Sequence, residues 1–207
     1  MQRAAIILCG GKSTRMGRDK ASLPFGAEKM LQRMVRLLSE VVPRDHIVVV
    51  AAAGQSLPSI PEDVEVVFDE RPERGPLEGL LAGLQAVPSD TVAAYITSCD
   101  VPLLLPAFVQ RMFDYLGDYD LVAPREGEQF HPLAGVYRPQ VAIHAKKLLS
   151  NNRLRLRHLF EELDSRRIDV NELRDCDPQL LSLMNLNHLE DYQQALKLAG
   201  FPVRPDW

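Results

Sequence analysis

The chain reads Leu8-Cys9-Gly10-Gly11-Lys12-Ser13-Thr14-Arg15-Met16-Gly17-Arg18-Asp19-Lys20 directly after a short apolar run, and this stretch decides the fold. Residues 4–8 are continuously apolar, which is typical of a parallel strand that is covered on both faces. The adjacent glycines, Gly10 and Gly11, let backbone amides approach a ligand without an intervening Cβ. We therefore expect a buried strand that leads into a ligand-binding loop.

Two cations in the same loop indicate which ligand it binds. Arg15 offers a planar fork of donors and Lys20 a point charge, a combination that suits a polyphosphate with charge on several oxygens. An ordinary strand-to-helix turn does not require two glycines, an arginine and a lysine together. The loop lacks the G-x-x-x-x-G-K-[ST] pattern of P-loop NTPases and the G-x-G-x-x-G pattern of dinucleotide-binding enzymes, so these two classes are disfavoured.

Apolar runs alternate with amphipathic stretches through the first two thirds of the chain. This alternation predicts an α/β fold, with a mostly parallel sheet and helices on both faces. Strands are expected at residues 4–8, 47–50, 64–68, 91–96, 121–123 and 133–137, with a short strand ending at residues 185–187. Helices are expected at residues 30–38, 77–86, 106–116, 141–149, 156–163 and 189–198.

Length and composition set further limits. A chain of 207 residues supports one sizeable core, so we expect a single domain. Its 24 Lys and Arg against 28 Asp and Glu give a net charge of −4 with no basic run, which disfavours a nucleic-acid partner. Three cysteines without C-x-x-C spacing indicate neither a disulfide framework nor a zinc site, which fits the cytoplasm. No apolar stretch is long enough for a signal peptide or a membrane span.

Asp100 is a candidate metal ligand. It follows the predicted strand at residues 91–96, and open α/β sheets bind ligands beyond the carboxyl ends of their strands. One carboxylate can hold Mg²⁺ when triphosphate oxygens and waters supply the remaining ligands. Asp100 could instead cap the following helix, although Pro102 and Pro106 make helix entry at this point less favourable.

A second carboxylate, Asp69, also follows a predicted strand and precedes Gly75, Pro76 and Leu77 at a helix start. A carboxylate can accept hydrogen bonds from both N1–H and N2–H₂ of guanine, a pair that cytosine and uracil do not present. We therefore interpret this region as a base-reading site. The charged residues between these two points are expected to be solvated, namely Glu70, Arg71, Glu73 and Arg74.

The adjacent glycines followed by x-x-x-R-M-G-x-D-K resemble the signature of nucleotidyltransferases with a GT-A-like Rossmann fold. Within that superfamily the chain is most similar to the molybdenum cofactor guanylyltransferases, which transfer GMP from GTP to molybdopterin. The resemblance extends over nearly the whole chain through five ordered segments. After the glycine loop come Asp69 with Gly75–Leu77, the C-D-x-P at residues 99–102, the segment from His131 to Tyr137, and the N-x-N of Asn185 and Asn187.

The resemblance implies a role for each matching residue. Arg15, Lys20 and Asp100 are the expected catalytic residues, and Asp100 is the expected ligand of Mg²⁺. The expected GTP-binding residues are Leu8, Cys9, Gly10, Gly11, Lys20, Asp69, Gly75, Pro76, Leu77 and Asp100. His131, Asn185 and Asn187 are expected to bind the acceptor. Residues 1–123 would then form the nucleotide-binding half and residues 124–207 the acceptor-binding half, and molybdenum cofactor insertion proteins would be partners.

Three positions depart from the family pattern. Cys9 replaces an alanine, Glu78 replaces a small residue, and alanines at residues 51–53 leave one ribose or base contact of the family without its usual asparagine.

The expected reaction is attack by an acceptor phosphate on the α-phosphorus of GTP. It needs no protein nucleophile, because a phosphate monoester is already anionic. Two alternatives remain open at this point: a cytidylyltransferase of the same superfamily acting on molybdopterin or on a sugar or polyol phosphate, and a non-catalytic nucleotide-binding module. The alternating Arg153, Arg155 and Arg157 could meet an acceptor phosphate or could form a solvated helix face.

Overall fold

A computed structural model of the chain describes residues 2–10, 19–69, 71 and 74–203. The strands are β1 (Gln2–Leu8), β2 (Pro24–Phe25), β3 (Glu28–Lys29), β4 (Ile47–Ala52), β5 (Glu65–Asp69), β6 (Thr91–Ser98), β7 (Leu121–Glu126), β8 (Gln129–Phe130), β9 (Gly135–Tyr137) and β10 (Ser165–Asp169). The α-helices are α1 (Met30–Leu38), α2 (Pro76–Ala86), α3 (Pro106–Leu116), α4 (Val141–Ser150), α5 (Leu159–Glu162) and α6 (Leu189–Leu198).

One sheet carries the fold, in the strand order β10-β7-β9-β6-β1-β4-β5, with β8 added to β7. All neighbouring strands of this order are parallel except at β9, which runs antiparallel to both β6 and β7. β1 lies between β4 and β6, and its last residue, Leu8, is in register with Val50 and Ser98. The carboxyl ends of three parallel strands therefore meet at one point of the sheet edge.

The side chains of β1 alternate between two cores, which explains the unbroken apolar run. Ala5 and Ile7 pack with α1 and α3, while Ala4, Ile6 and Leu8 pack with α2 and α4 on the other face. Helices thus cover both faces, and the predicted α/β fold is confirmed. No described helix is both long and apolar enough to cross a lipid bilayer.

A smaller apolar cluster fixes the last helix beside the strand ends. Phe25 and Met30 pack with Leu186, and with Tyr192 and Ala195 of α6. The Phe25 ring meets Tyr192 edge-on, with 6.4 Å between the ring centroids. This cluster holds the segment at residues 185–187 against the strand that ends at Ser98.

Three expectations about the second half of the chain were wrong or incomplete, and one five-residue strand was missed. The strand expected at residues 133–137 begins only at Gly135, because Pro132–Ala134 forms a 3₁₀ turn. The helix expected at residues 156–163 is a 3₁₀ turn followed by the short α5. Residues 185–187 form no strand. The sequence analysis also missed β10, whose S-R-R-I-D sequence has little apolar character but pairs with β7 along its whole length.

Candidate active site

Several of the predicted site residues lie near the end of β1. The amide of Cys9 donates to Val50 O at 2.8 Å, and the amide of Cys99 donates to Leu8 O at 3.1 Å. These bonds continue the parallel pairing just past the last residue of β1, and the chain then leaves the sheet at Gly10. Cys9 and Gly10, at the start of the glycine loop, therefore lie beside the end of β6.

Lys20 and Asp100 form the centre of this edge. Lys20 Nζ lies 2.6 Å from Asp100 Oδ2, and the two side chains are only 17 % and 13 % exposed. The other carboxylate oxygen, Oδ1, accepts a hydrogen bond from the Ser98 hydroxyl. A shielded ion pair of this kind is much less screened than a surface pair, and removing one partner leaves the other charge uncompensated.

Asn187 joins the same group from the far end of the chain. Its side-chain oxygen, Oδ1, lies 3.4 Å from Lys20 Nζ, while the neighbouring amide of Leu186 donates to Asp100 O at 2.9 Å. The segment predicted as a strand thus makes one backbone bond to Asp100, and Asn187 lies next to the Lys20–Asp100 pair. Lys20, Asp100 and Asn187, which are far apart in sequence, form one cluster.

The alternative role for Asp100 as a helix cap is wrong. The next helix, α3, begins at Pro106, and Leu105 is its N-cap residue. Asp100 instead lies two residues beyond the end of β6, and its carboxylate pairs with Lys20.

The donor set suits a cation that takes most of its ligands from a substrate. No group of three or more His, Cys, Asp or Glu side chains in the described residues could hold a metal ion by itself. Asp100 nevertheless supplies a carboxylate at the sheet edge, which fits Mg²⁺, since this ion usually keeps waters and phosphate oxygens around one or two protein carboxylates.

Three predicted nucleotide-binding residues can face a ligand only through their backbone. The side chains of Leu8, Cys9 and Leu77 are all buried in the cores beneath the site. A hydrogen bond to Cys99, together with burial, raises the pKa of the Cys9 thiol well above its ordinary value. Cys9 is therefore a neutral thiol, and it does not provide a thiolate nucleophile.

Asp69 lies farther along the sheet edge, at the end of β5. It is buried, and its Oδ1 accepts a hydrogen bond of 2.7 Å from the Arg71 amide. Asp69 and Glu78 line one shallow cleft of about 400 Å³, which makes this surface rich in acceptors. Gly75 caps α2 with a φ of 75°, a conformation that favours glycine, and Pro76 follows at the first helical position.

The expected solvation of the charged residues near Asp69 holds for Arg71 but not for Arg74. Arg71 is exposed. The Arg74 guanidinium is half-buried, because it lies 3.6 Å from Glu78 Oε2 and donates to Leu149 O. Glu70 and Glu73 lie outside the described residues, as do two other predicted site residues, Gly11 and Arg15.

A second cleft, of about 390 Å³, contains two of the three predicted acceptor-binding residues. His131 and Asn185 both line it, together with Arg155, Arg157 and, from the first half of the chain, Pro76. The two arginines are exposed, so their charges are free to meet an anion. Asn187, the third predicted residue, lies with Lys20 and Asp100 instead.

His131 has an unusual environment within this cleft. Its Nε2 atom is buried and has no hydrogen-bond partner among the described residues. Burial lowers the pKa of the imidazole below its ordinary value, despite the opposing influence of Glu126. His131 is therefore neutral at neutral pH, and it can offer a ligand either a donor or an acceptor.

Sequence reasoning missed two polar side chains at the site. Ser98 precedes Asp100 by two residues and bonds to its carboxylate, and the spacing along the strand end could have suggested this contact. Gln55 reaches the site from a loop after β4 and donates to Asp19 Oδ1 at 2.8 Å. No motif marks Gln55, so the sequence carried no signal for it.

Comparison with known proteins shows the family to which the chain belongs. Residues 5–167 match the family model of the MobA-like NTP transferase domain, which covers most of the chain. The chain belongs to the MobA-like NTP transferase family. It is accordingly a nucleotidyltransferase, and the family assignment expected from the sequence is confirmed.

Relatives of similar length share about a third of the sequence. A protein of Mycobacterium avium named probable molybdenum cofactor guanylyltransferase is 34% identical over 179 residues, covering 84% of this chain and 88% of that protein. A protein of Carboxydothermus hydrogenoformans with the same name is 30% identical over 201 residues, covering 96% and 98% of the two chains.

Solved structures of the same fold include more than one activity. Molybdopterin-guanine dinucleotide biosynthesis protein A from Archaeoglobus fulgidus has a TM-score of 0.77 at 19% identity, covering 96% of this chain and 98% of that one. The 4-diphosphocytidyl-2C-methyl-D-erythritol synthase of Anaerococcus prevotii has a TM-score of 0.70 at 13% identity, with 96% of each chain covered. These likenesses concern the fold of this MobA-like transferase, and its substrate has to be argued from the site.

Proposed function

We propose that this enzyme transfers GMP from GTP to the phosphate of molybdopterin and releases pyrophosphate. An oxygen of the acceptor phosphate forms a bond to the α-phosphorus of GTP, and the bond from that phosphorus to the bridging oxygen of the β-phosphate breaks. The observation that carries the proposal is the cluster of Lys20, Asp100 and Asn187 at the sheet edge, together with a cleft lined by Asn185 and by exposed arginines. The names of the two relatives support the choice of donor and acceptor.

Lys20 has the charge that a departing pyrophosphate requires. Its ammonium is already oriented by two partners, Asp100 and Asn187, so little reorganisation is needed when charge develops on the leaving group. Asp100 would hold Mg²⁺, which when bound neutralises triphosphate oxygens and polarises the reacting phosphorus. Arg15 is proposed as a further cation for the triphosphate, on the strength of its place in the glycine loop.

Guanine would be recognised at Asp69. The buried carboxylate keeps acceptor capacity beyond its one bond to Arg71, and the neighbouring Glu78 adds to the acceptor-rich surface. Guanine presents N1–H and N2–H₂ to such a surface, whereas the Watson–Crick edge of cytosine presents acceptors at N3 and O2.

The acceptor would occupy the cleft lined by His131 and Asn185. Exposed Arg155 and Arg157 fit a phosphate at its mouth, and the neutral His131 fits the donors and acceptors of a pterin ring. We assign residues 1–123 to nucleotide binding and residues 124–207 to acceptor binding, with Pro76 as the point where the two halves share this cleft. The cytoplasm is the proposed compartment, and molybdenum cofactor insertion proteins are the proposed recipients of the product.

One other activity fits the same fold. The similarity to the Anaerococcus prevotii enzyme supports a cytidylyltransferase as the second candidate, since that protein has the fold and a different printed activity. The two candidates differ in the base that Asp69 would face.

Pyrophosphate release measured with each of the four NTPs, in the presence of molybdopterin and Mg²⁺, tests the proposal. We expect GTP to be preferred by about 10⁴-fold if Asp69 is built around the guanine edge. Preference for CTP would replace the proposed function by the cytidylyltransferase. Release that does not depend on molybdopterin would remove molybdopterin as the acceptor, and Asp100→Asn serves as the inactive control.

A further inference from the structure

Gln55 connects three separate pieces of chain at the sheet edge where β1 and β4 end. Its side-chain Nε2 donates to Asp19 Oδ1 at 2.8 Å and to Cys9 O at 3.3 Å, while Oε1 accepts from the Ala52 amide at 3.0 Å. Both donor hydrogens and the acceptor oxygen of the amide are therefore in use. The side chain bridges the end of β1, the end of β4 and the last residue before Lys20.

A tight turn brings Gln55 back over the strand ends. The Gln55 amide donates to Ala52 O at 3.0 Å, and Gly54 has a φ of 75°, which is the left-handed conformation that a turn of type II needs at this position. Backbone and side chain of Gln55 thus both bond to Ala52. The amide group is fixed before any ligand arrives.

The hydrogen bond from Gln55 holds the Asp19 carboxylate in place. Its other carboxylate oxygen, Oδ2, is buried and has no hydrogen-bond partner in the part of the chain that the structure describes. Asp19 O in turn accepts from the Ser22 amide at 3.2 Å and opens the 3₁₀ turn that carries Lys20. The orientation of Asp19 therefore determines where the Lys20 side chain starts.

We propose that Gln55 is a positioning residue for Lys20: it anchors Asp19 and thereby sets the Lys20 ammonium against Asp100. This inference rests on the proposed function, in which Lys20 serves the triphosphate. Gln55 itself touches none of the reacting groups in this account. It acts through Asp19 and the turn that follows.

The chemistry requires an amide at this position. Cys9 O and the Asp19 carboxylate are both acceptors, so the side chain between them must donate twice. In Gln55→Met the length is kept and all three bonds are lost. In Gln55→Glu an ionised carboxylate faces the Asp19 carboxylate and the carbonyl, and only the bond from the Ala52 amide can remain.

The pH dependence of activity distinguishes these two variants, because only Gln55→Glu introduces a group that can be protonated. Two carboxyl groups within hydrogen-bond distance raise the pKa of one of them, and the protonated group regains a donor toward Asp19. Among the described residues, the titratable groups that act on Cys9, the neighbour of Gln55, are Cys99, Asp19 and Asp100, and all of them are present in the wild type as well. The ratio of variant to wild-type activity therefore isolates the introduced carboxyl group.

Steady-state kinetics from about pH 5.5 to about pH 8, with whichever NTP the wild type uses best, test the proposal. A misplaced catalytic group can cost about 10²-fold, so we expect Gln55→Met to lose about tenfold to hundredfold in kcat/KM at every pH. Gln55→Glu should lose as much at pH 8 and recover to within about threefold of wild type at pH 5.5. Gln110→Glu is the matched control, because Gln110 also donates to an aspartate, Asp114, but on the exposed face of α3.

Hydrogen exchange of residues 19–23 gives a second readout that needs no substrate. Without the Gln55 contact, the Ser22 and Leu23 amides, which close the turn, should exchange about tenfold faster. Unchanged exchange in Gln55→Met, or equal and pH-independent losses in both Gln55 variants, would overturn the positioning role. A wild type that prefers another nucleotide would overturn the proposed function alone, since both readouts on Gln55 can still be obtained.

Discussion

The two ends of the central strands each carry a polar cluster, and the two clusters are shielded very differently. At the carboxyl end, Lys20 and Asp100 are both mostly buried. At the amino end, His46 is buried just before β4, but its partners Asp45 and Asp90 are 70 % and 59 % exposed. The first pair acts in a low-dielectric site, whereas the second is screened by solvent. Changes at the carboxyl end should therefore affect turnover, and changes at the amino end should affect only stability.

The largest effect is expected for Asp100→Asn, which keeps the shape of the side chain and removes its charge. Loss of a preorganised charge at a reacting phosphate should lower kcat by about 10³-fold, because both Lys20 and the cation lose their partner. Turnover at saturating Mg²⁺ measures the effect on activity, and the thermal unfolding midpoint measures the effect on stability. A folded variant with near-wild-type turnover would remove Asp100 from the catalytic centre.

Lys20→Met should have the next largest effect, about 10²-fold in kcat/KM. If the ammonium stabilises the departing pyrophosphate, kcat should fall and KM for GTP should rise. A change confined to KM would reassign Lys20 to ground-state binding of the triphosphate. The circular dichroism spectrum should match that of the wild type.

Asp69→Ala should reduce the ratio of kcat/KM for GTP to kcat/KM for the other NTPs by about tenfold to hundredfold. Most of this change should come from weaker use of GTP. The reason is that guanine loses its acceptor while the other bases lose nothing. Competition among the four NTPs measures this change. An unchanged preference would mean that the base is read elsewhere on the carboxyl-end edge.

A smaller effect is expected in the acceptor cleft, whose cations are exposed. Arg157→Ala should raise KM for molybdopterin about threefold to tenfold and leave KM for GTP unchanged, since an exposed charge contributes less than a shielded one. Arg44→Ala is the matched control, because Arg44 is also exposed but pairs with Asp63 and does not line the cleft. Equal effects of the two substitutions would argue against a specific phosphate contact.

The smallest effect is expected at the amino end of the strands. Burial lowers the pKa of His46, but the hydrogen bonds to Asp45 and Asp90 outweigh it and raise the pKa above its ordinary value. A raised pKa in the folded state stabilises the fold below the unfolded pKa of about 6.5, and this contribution is lost as the pH rises through the folded value.

His46→Gln should therefore cost about 1 kcal/mol or less of unfolding free energy near pH 5.5, and less still near pH 8.5. Urea titrations of both proteins at the two pH values measure this difference. The turnover of the folded variant should equal that of the wild type, and a loss of kcat would break the distinction between the two ends.

Elements with strong local signals were predictable from the sequence. α1 and α3 lie at the expected residues, because α1 has one continuous apolar stripe and α3 starts with Pro106 in the position that favours it. β10 was not predictable, since only Ile168 of its five residues is fully buried and the strand exists through pairing with β7. The strand expected at residues 185–187 was wrong for a related reason, namely that pairing and not burial makes a strand. Leu186 is buried, but the segment pairs with no described strand.

For the candidate site, the sequence predicted which residues lie at the strand ends better than it predicted the contacts between them. The placement of Lys20 and Asp100 at one sheet edge follows from the order of parallel strands. The approach of Asn187 to Lys20 depends on how α6 packs, and the contact of Gln55 with Asp19 depends on a turn in which only Gly54 gives a local signal. Such contacts between distant segments leave no periodic pattern in the sequence.

A double-mutant cycle on Lys20 and Asp100 tests the central claim most directly, namely that the shielded pair at the carboxyl end acts as one catalytic unit. Residues that act as a unit show strongly non-additive losses. We predict that the doubly substituted enzyme, with Lys20→Met and Asp100→Asn, loses about 10³-fold in kcat/KM, no more than Asp100→Asn alone. Losses that multiply to about 10⁵-fold would contradict the account, because they would mean that the two side chains contribute independently.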